Sequence, residues 1–352
     1  MNISARQAVV PAHLHLANRG AGLFTDQQIF QNVYYRLKPL IPRRLQLYLR
    51  RQIAQRKRIR YTNEWPILSR ARNVPVAWSG WAEQKQFAFV LIHDVETAAG
   101  QDKTRHLMDM EIKRGFRSCY NFVPERYPVS EELRTTLLQN GFEIGVHGLT
   151  HDGKLFRSER IFIERAVKIN RYLSEWKAHG FCSPSSHHRL EWNHLLNIEY
   201  DSSTFDTDPF EVQPDGLETI FPIWIPSNVP AALQIARRKQ ALAEVRDPDG
   251  YVELPYTLPQ DFYLFILLKE PTIDIWKQKL DWIAKNGGLA LLITHPDYMN
   301  FDGIPKYEEY PVSQYFEFLD YAKKNYGDVY WHTLPKHVAD YWRTWATSSS
   351  YS

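Results

Sequence analysis

The stretch FAFVLIHDVE (87–96) carries the fold prediction for this chain. Its first seven residues, 87–93, form an almost unbroken apolar run that ends at a histidine. Such a run is typical of a strand that is buried on both faces of a parallel sheet. Asp94 and Glu96 follow at once, so two carboxylates stand where the predicted strand ends.

Strand-like and helix-like segments alternate from this stretch to the end of the chain. Further strands are predicted at 117–123, 142–147, near 181, 289–294 and 329–334, with helices at about 101–114, 157–179, 272–286 and 313–325. Residues 183–260 are rich in Pro, Asp and Ser, which favours long loops with short strands. The alternation predicts an α/β fold built on a parallel sheet or barrel.

Side chains that can carry chemistry follow three of the predicted strands. Asp94 and Glu96 follow the first strand, His147 and His151 follow the third, and His295 follows the strand at 289–294. The carboxyl ends of parallel strands meet at one edge, where reactive groups collect. Two imidazoles with one carboxylate form a common site for a catalytic divalent metal, and the second carboxylate is then free to act as a base.

The order of these motifs resembles the polysaccharide deacetylase family, the NodB-homology domain of carbohydrate esterase family four. The resemblance covers about residues 85–345 and rests on FVLIHDVE (89–96), VHGLTH (146–151), YVELPYTLPQDF (251–262) and LLITHPDY (291–298). It implies a distorted (β/α) barrel over 85–345. A basic helical and irregular extension with a connector would precede the barrel over 1–84, and a flexible tail would follow over 346–352.

The resemblance also implies a role for each motif residue. Asp94 would be the catalytic base and His295 the general acid, while Glu96, His147 and His151 would bind the metal. The implied cofactor is a divalent cation, with Zn expected and Co, Ni, Fe or Mn as alternatives. The implied reaction is hydrolysis of the amide that holds an acetyl group on a sugar or polysaccharide.

Other residues are expected to support the site or contact substrate. The family usually has an arginine that orients the base, and Cys182 stands at that position here. Arg189 in the same loop could supply the charge. Asp152 and Asp261 could each orient a histidine, because metal-bound imidazoles usually donate to a carboxylate or carbonyl. Asp297 could bond His295 or cap the loop after Pro296. The supporting set is therefore His93, which we expect to be packed, with Asp152, Arg189, Asp261 and Asp297.

Positive charge is concentrated at the start of the chain. Residues 1–70 contain 13 Lys and Arg against 2 acids, and ten of the basic residues lie between Arg36 and Arg60. Interleaved Tyr and Leu residues make this segment amphipathic, so it could lie on an anionic membrane surface or bind an acidic partner. It could equally be a solvated helix packed on the main domain. We predict that residues 35–60 are helical and contribute no metal ligand.

Composition argues against a disulfide-rich protein and against a membrane-spanning one. Two cysteines are too few for a disulfide framework or a cysteine-based zinc site. The first residues lack the pattern of a secretory signal, and no stretch reaches the roughly 18 apolar residues of a membrane span. We expect a cytoplasmic protein that acts on an N-acetylated carbohydrate and binds no nucleic acid, with peripheral membrane contact through residues 35–60 as the alternative.

Three alternatives stay open at this point. The chain could hydrolyse a non-sugar amide, or it could be a catalytically degenerate relative that only binds glycan. It could also be a scaffold that its basic arm recruits to a membrane-bound glycan assembly complex.

Overall fold

A computed structural model describes residues 42–227 and 250–348, and its centre is a sheet of nine strands. Two further short strands, β9 and β10, pair with each other outside that sheet. The strands are β1 Phe87–Val95, β2 Cys119–Phe122, β3 Glu143–His147, β4 Gly180–Cys182, β5 Tyr200–Asp201, β6 Ile223–Pro226, β7 Gly250–Glu253, β8 Leu289–Thr294, β9 Met299–Asn300, β10 Tyr310–Pro311 and β11 Tyr330–His332.

Helices connect these strands and cover the sheet. The α-helices of the described part are α1 Arg43–Arg60, α2 Ala98–Arg114, α3 Glu131–Gln139, α4 Glu159–Trp176, α5 Leu190–Asn193, α6 Asp274–Asn286, α7 Val312–Tyr326 and α8 Pro335–Ser348. A buried π-helix, Phe262–Leu268, was not predicted. None of the helices in residues 42–227 and 250–348 is both long and apolar enough to span a membrane.

The sheet is organised around β1, whose nine residues are all buried. One edge of β1 pairs with β8, and the other pairs with β11 near its start and with β2 near its end. Apart from the antiparallel pair β6–β7, the neighbours in this sheet run parallel. A parallel bridge between Leu258 and Leu292 joins the segment after β7 to β8, so the sheet curls back on itself. The predicted distorted (β/α) barrel is therefore confirmed.

Local signals fix where the helices begin and end. The side chains of Thr97, Ser130 and Ser158 accept hydrogen bonds from backbone N–H groups in the first turns of α2, α3 and α4. Such caps stabilise a helix by about 1 kcal/mol each. Gly115 ends α2 with a φ of 84°, a left-handed conformation that glycine adopts without steric cost.

The N-terminal segment packs on the barrel. In α1, Leu47 and Ala54 are buried, and Arg51 donates from Nε to the Ile266 carbonyl of the π-helix at 2.9 Å. The helical prediction for 35–60 is matched over 43–60, while 35–41 lies outside the described residues. At the other end, α8 continues to Ser348, past the predicted start of the tail at 346.

Candidate metal centre

Three predicted ligands meet at the carboxyl end of the sheet. Glu96, His147 and His151 each offer one ligand atom, and these atoms lie within 4.8 Å of one another. His151 Nε2 is 3.1 Å from Glu96 Oε1. The chain folds back after β3 because Gly148 and His151 both adopt left-handed backbone angles, with φ of 61° and 55°. The turn thereby brings the second histidine of the motif back beside the first.

The charge states in this group suit a cation. Burial raises the pKa of Glu96, but His151, His295 and His147 together hold it well below the usual range, so the carboxylate stays ionised. Burial lowers the pKa of His147 to about 4, so its imidazole stays neutral. A carboxylate and a neutral imidazole are the forms that bind divalent metals.

A second group, Asp94, His147 and Cys182, is equally compact but suits a metal less well. Burial and the charge of Asp94 raise the pKa of the Cys182 thiol well above its usual range, whereas a metal needs the thiolate. His147 Nδ1 lies 3.0 Å from the Cys182 carbonyl, which can only accept, so Nδ1 carries the proton and Nε2 remains for a ligand. These contacts favour the group that contains Glu96.

Asp94 is buried beside the ligands and is oriented by neutral donors. Asn121 Nδ2 donates to its Oδ1 at 2.8 Å, and Cys182 Sγ donates to its Oδ2 at 3.3 Å. The prediction that Arg189 replaces the missing family arginine is wrong. Arg189 is exposed, and its guanidinium lies over the ring of Trp192 at 5.0 Å, because the loop carries it away to the start of α5.

His295 is held from behind by Asp261. Its Nδ1 lies 2.7 Å from Asp261 Oδ1, and its backbone N–H donates to Asp261 Oδ2 at 2.9 Å. Burial lowers the pKa of His295, but Asp261, Glu96 and Asp94 outweigh that effect and raise it to about 10. Asp261 thus orients a histidine as expected, although this histidine is the predicted acid and not a metal ligand.

Two supporting roles were assigned to the wrong partners. Asp152 forms a bidentate pair with Arg165 of α4, both contacts at 2.7 Å, and does not orient His147 or His151. The Cys182 carbonyl takes that role for His147. Asp297 neither bonds His295 nor caps the loop after Pro296, since its carboxylate accepts from the Glu96 backbone N–H at 2.8 Å and from Thr97 Oγ1.

His93 is packed, as predicted. It is fully buried between Glu111, 2.9 Å from its Nε2, and Thr294, 2.7 Å from its Nδ1. Sequence reasoning missed Asn121 and the hydroxyl of Tyr298, which donates to Glu96 Oε2 at 3.1 Å. A polar Asn121 inside the buried strand CYNF (119–122) was the available signal.

The predicted base, acid and metal ligands share one cavity of about 1160 Å³, whose lining includes Asp94, Glu96, His147, His151 and His295. Helix α1 forms part of its wall through Arg43, Arg44, Gln46 and Arg50. The Arg50 guanidinium lies 4.7 Å from the centroid of the Phe262 ring, which in turn packs on Tyr298. The basic segment therefore borders the cavity, and α1 adds no residue to either candidate metal group.

Several solved structures share this fold, although comparison of sequences finds no relative. No family model matches the chain, and no curated protein sequence matches it. A protein assigned as a polysaccharide deacetylase from Mycobacterium smegmatis superposes with a TM-score of 0.54 at 16% identity, over 77% of this chain and 95% of that one.

Two further structures are similar to the same degree. The PuuE allantoinase gives a TM-score of 0.52 at 15% identity, over 77% of this chain and 94% of its own. A probable polysaccharide deacetylase from Pseudomonas aeruginosa PAO1 gives 0.51 at 15% identity, over 75% and 93%. With the strand order and the curled parallel sheet, these likenesses show that the chain has the fold of the polysaccharide deacetylases, as its motifs predicted.

Proposed function

We propose that the protein is a metal-dependent hydrolase that removes N-acetyl groups from a sugar or polysaccharide. One observation carries the proposal: the predicted ligands Glu96, His147 and His151, the predicted base Asp94 and the predicted acid His295 all line one cavity. Metal-assisted amide hydrolysis combines these three functions, namely a Lewis acid, a base for water and an acid for the leaving amine.

The proposed ligand set is Glu96 with His147 and His151. Their donor chemistry fits a divalent cation, since the carboxylate is ionised and His147 is neutral with Nε2 available. A cation held there would supply Lewis acidity for the acetyl carbonyl and acidify a water molecule. Two imidazoles and one carboxylate are typical of zinc, and Co, Ni, Fe or Mn are alternatives.

Asp94 and His295 divide the proton transfers. Asp94 accepts a proton from the attacking water, and the neutral donors Asn121 and Cys182 hold its carboxylate in place. His295, kept protonated by Asp261, donates its Nε2 proton to the departing amine as the C–N bond breaks. Free acetate and the sugar amine are the products. Asp94 then returns its proton to solvent, while His295 regains one.

Metal analysis beside an acetate-release assay tests this proposal. Purified protein should hold about one divalent ion per chain and release acetate from a chitin oligosaccharide, whereas His147→Ala should lose both properties. A protein that binds metal without releasing acetate from any N-acetylated sugar would contradict the proposal. It would favour the degenerate, binding-only alternative that the cysteine at position 182 suggests.

Hydrolysis of a non-sugar amide is the second candidate. The observation that favours it is the similarity in fold to an allantoinase, a protein whose name describes action on a non-sugar compound. A screen that offers the metal-loaded protein linear and cyclic amides beside N-acetylated sugars separates the two candidates. Turnover of an amide without turnover of any acetylated sugar would establish the second.

We also propose that α1 makes peripheral contact with an anionic membrane. Its outer side exposes an apolar stripe that includes Leu45, Leu49 and Ile53, which are 47%, 45% and 49% exposed. These residues recur at helical spacing among arginines, a combination typical of helices that lie in a membrane interface. The inner side of the same helix borders the cavity, so contact on the outer side would leave the site wall in place.

A further inference from the structure

Within the described residues, two buried polar atoms in the cavity wall have no hydrogen-bond partner. Glu211 and Ser183 both line the cavity, and each is 2% exposed. Among the described residues, Glu211 Oε2 and Ser183 Oγ are buried without a hydrogen-bond partner. An unpaired buried polar atom is unfavourable, and in native proteins it usually marks a position where a ligand or water binds.

The other carboxylate oxygen of Glu211 is fully engaged. Its Oε1 accepts three hydrogen bonds: from Ser186 Oγ at 3.0 Å, from Tyr256 OH at 2.8 Å and from Gln260 Nε2 at 3.2 Å. Three groups thus fix the carboxylate in one orientation. Burial and the charge of Glu211 raise the pKa of Tyr263 on the same wall, so that hydroxyl lies nearby. Within the described residues no hydrogen bond reaches Oε2, which is therefore open to a donor on a ligand.

The neighbouring acid Asp208 supports this arrangement. The Tyr256 hydroxyl has a single proton and lies 3.0 Å from Asp208 Oδ2 as well as close to Glu211. Burial and the charge of Glu211 raise the pKa of Asp208 well above its usual range. A protonated Asp208 can donate to the tyrosine oxygen, which lets the Tyr256 proton point to Glu211.

Ser183 connects this position to the candidate metal centre. It follows Cys182, whose thiol donates to Asp94 and whose carbonyl holds His147. Its backbone N–H donates to Ser203 Oγ at 2.8 Å, which fixes the residue while its own hydroxyl remains unpaired. The two unpaired atoms therefore lie on the wall that runs from the metal centre through Ser186 to Glu211.

We propose that Glu211 and Ser183 form a subsite that binds hydroxyl groups of the substrate and determines which sugar is accepted. The proposal rests on the proposed function for the reaction at the metal centre. A carboxylate oxygen can only accept, so the group that meets Glu211 must donate, as a sugar hydroxyl does. Ser183 both donates and accepts, and a second hydroxyl matches that capacity.

The test compares Glu211→Gln with wild type, using triacetylchitotriose as the probe. Loss of a hydrogen bond to a charged acceptor weakens binding roughly tenfold or more. We expect KM to rise by about that factor, while kcat, metal content and melting temperature stay near wild type. Glu143→Gln is the matched control, because Glu143 is equally buried but lies at the start of β3, away from the carboxyl end where the ligands meet. This control should leave KM unchanged.

A binding measurement separates failure of the subsite from failure of the proposed function. Calorimetric titration of the same trisaccharide into metal-loaded Asp94→Asn, with and without Glu211→Gln, reports affinity without turnover. If binding depends on Glu211 but the wild-type protein releases no acetate, the subsite would be sustained and the deacetylase activity refuted. Acetate release with an unchanged KM in Glu211→Gln would refute the subsite alone, and the absence of any sugar binding would also overturn it.

Discussion

Asp261 contacts His295 twice, through the ring Nδ1 at 2.7 Å and through the backbone N–H at 2.9 Å. The two residues are 34 positions apart in the chain, so the contact is made by the fold and not by a local turn. Tyr310 donates to Asp261 from the side at 3.0 Å. The ring is thus fixed in position and orientation, and its Nε2 is left to face the cavity.

The pH dependence of the reaction should follow this contact. In the proposed mechanism protonated His295 is the active form, so activity should fall as pH rises through its pKa. Asp261→Asn removes the main interaction that raises this pKa, and the basic limb of the kcat/KM profile should move to lower pH by roughly 1–3 units. A basic limb that stays in place in Asp261→Asn would show that another group donates the proton.

Asp94 and Glu96, two residues apart, should respond oppositely to loss of charge. Asp94→Asn should lower turnover by roughly 10²–10⁴-fold and retain the metal, because the role proposed for Asp94 is that of the base. Glu96→Gln should lose metal and activity together. Metal content by mass spectrometry distinguishes the variants. An empty site in Asp94→Asn beside a filled one in Glu96→Gln would mean that the two roles are exchanged.

Arg51 should control how firmly α1 closes the cavity wall. Its guanidinium donates to the carbonyls of Ile266 and Tyr307 and lies 4.0 Å from the centroid of the Tyr307 ring. Arg51→Ala should speed amide hydrogen exchange in α1 by roughly tenfold or more, since hydrogen bonds to charged groups contribute about 1.5–3 kcal/mol each. Arg56→Ala, an exposed position on the same helix, is the control and should leave exchange unchanged.

The outer face of α1 should bind anionic vesicles in a salt-dependent way. At low ionic strength we expect sedimentation with phosphatidylserine vesicles, and exchange of Leu45, Leu49 and Ile53 for serine should abolish it. High salt screens the attraction between the arginines of α1 and the anionic vesicles, so it should weaken vesicle binding by the wild-type protein as well. Failure to bind at low salt would discard the membrane proposal and leave α1 as a wall of the cavity only.

The buried pair of Lys279 and Asp206 should contribute strongly to stability beside the connector at Pro66. Lys279 Nζ contacts Asp206 Oδ2 and also donates to the Pro66 carbonyl of the connector at 2.6 Å. Lys279→Met would leave a buried carboxylate without its cation, which costs about 3–5 kcal/mol. Urea denaturation should show that loss. Arg70→Met is the matched control at the surface, where it breaks an exposed ion pair with Glu218. It should lower the free energy of unfolding by less than about 1 kcal/mol.

The strand ends were predictable because their signals are local. The run from Phe87 and the run at 289–294 are each buried throughout, and an apolar stretch of that length has few alternatives to a central strand. The charged and imidazole groups that follow such strands must then meet at one edge. This is why the three predicted ligands, together with Asp94 and His295, could be placed from the sequence.

The supporting contacts were not predictable because they depend on loop paths. Asp152 was matched to the nearest histidines, yet Arg165 on the next helix offers it two aligned donors. Arg189 was predicted to reach the site because it lies in the same loop as Cys182, but the loop carries its guanidinium to the ring of Trp192. Glu211 gave no signal at all, since its meaning comes from Ser186, Tyr256 and Gln260, which approach from separate parts of the chain.

The pairing between β1 and β8 has a consequence for how this chain can change over time. His93 is level with Thr294 in that ladder, so Asp94 and His295 each occupy the next position along. Side chains alternate between the two faces of a strand, and a one-residue insertion in either strand would turn one of the two groups away from the other. Descendants of this chain can therefore lengthen only those loops that carry no site residue, whereas the spacing within these two strands has to be inherited intact.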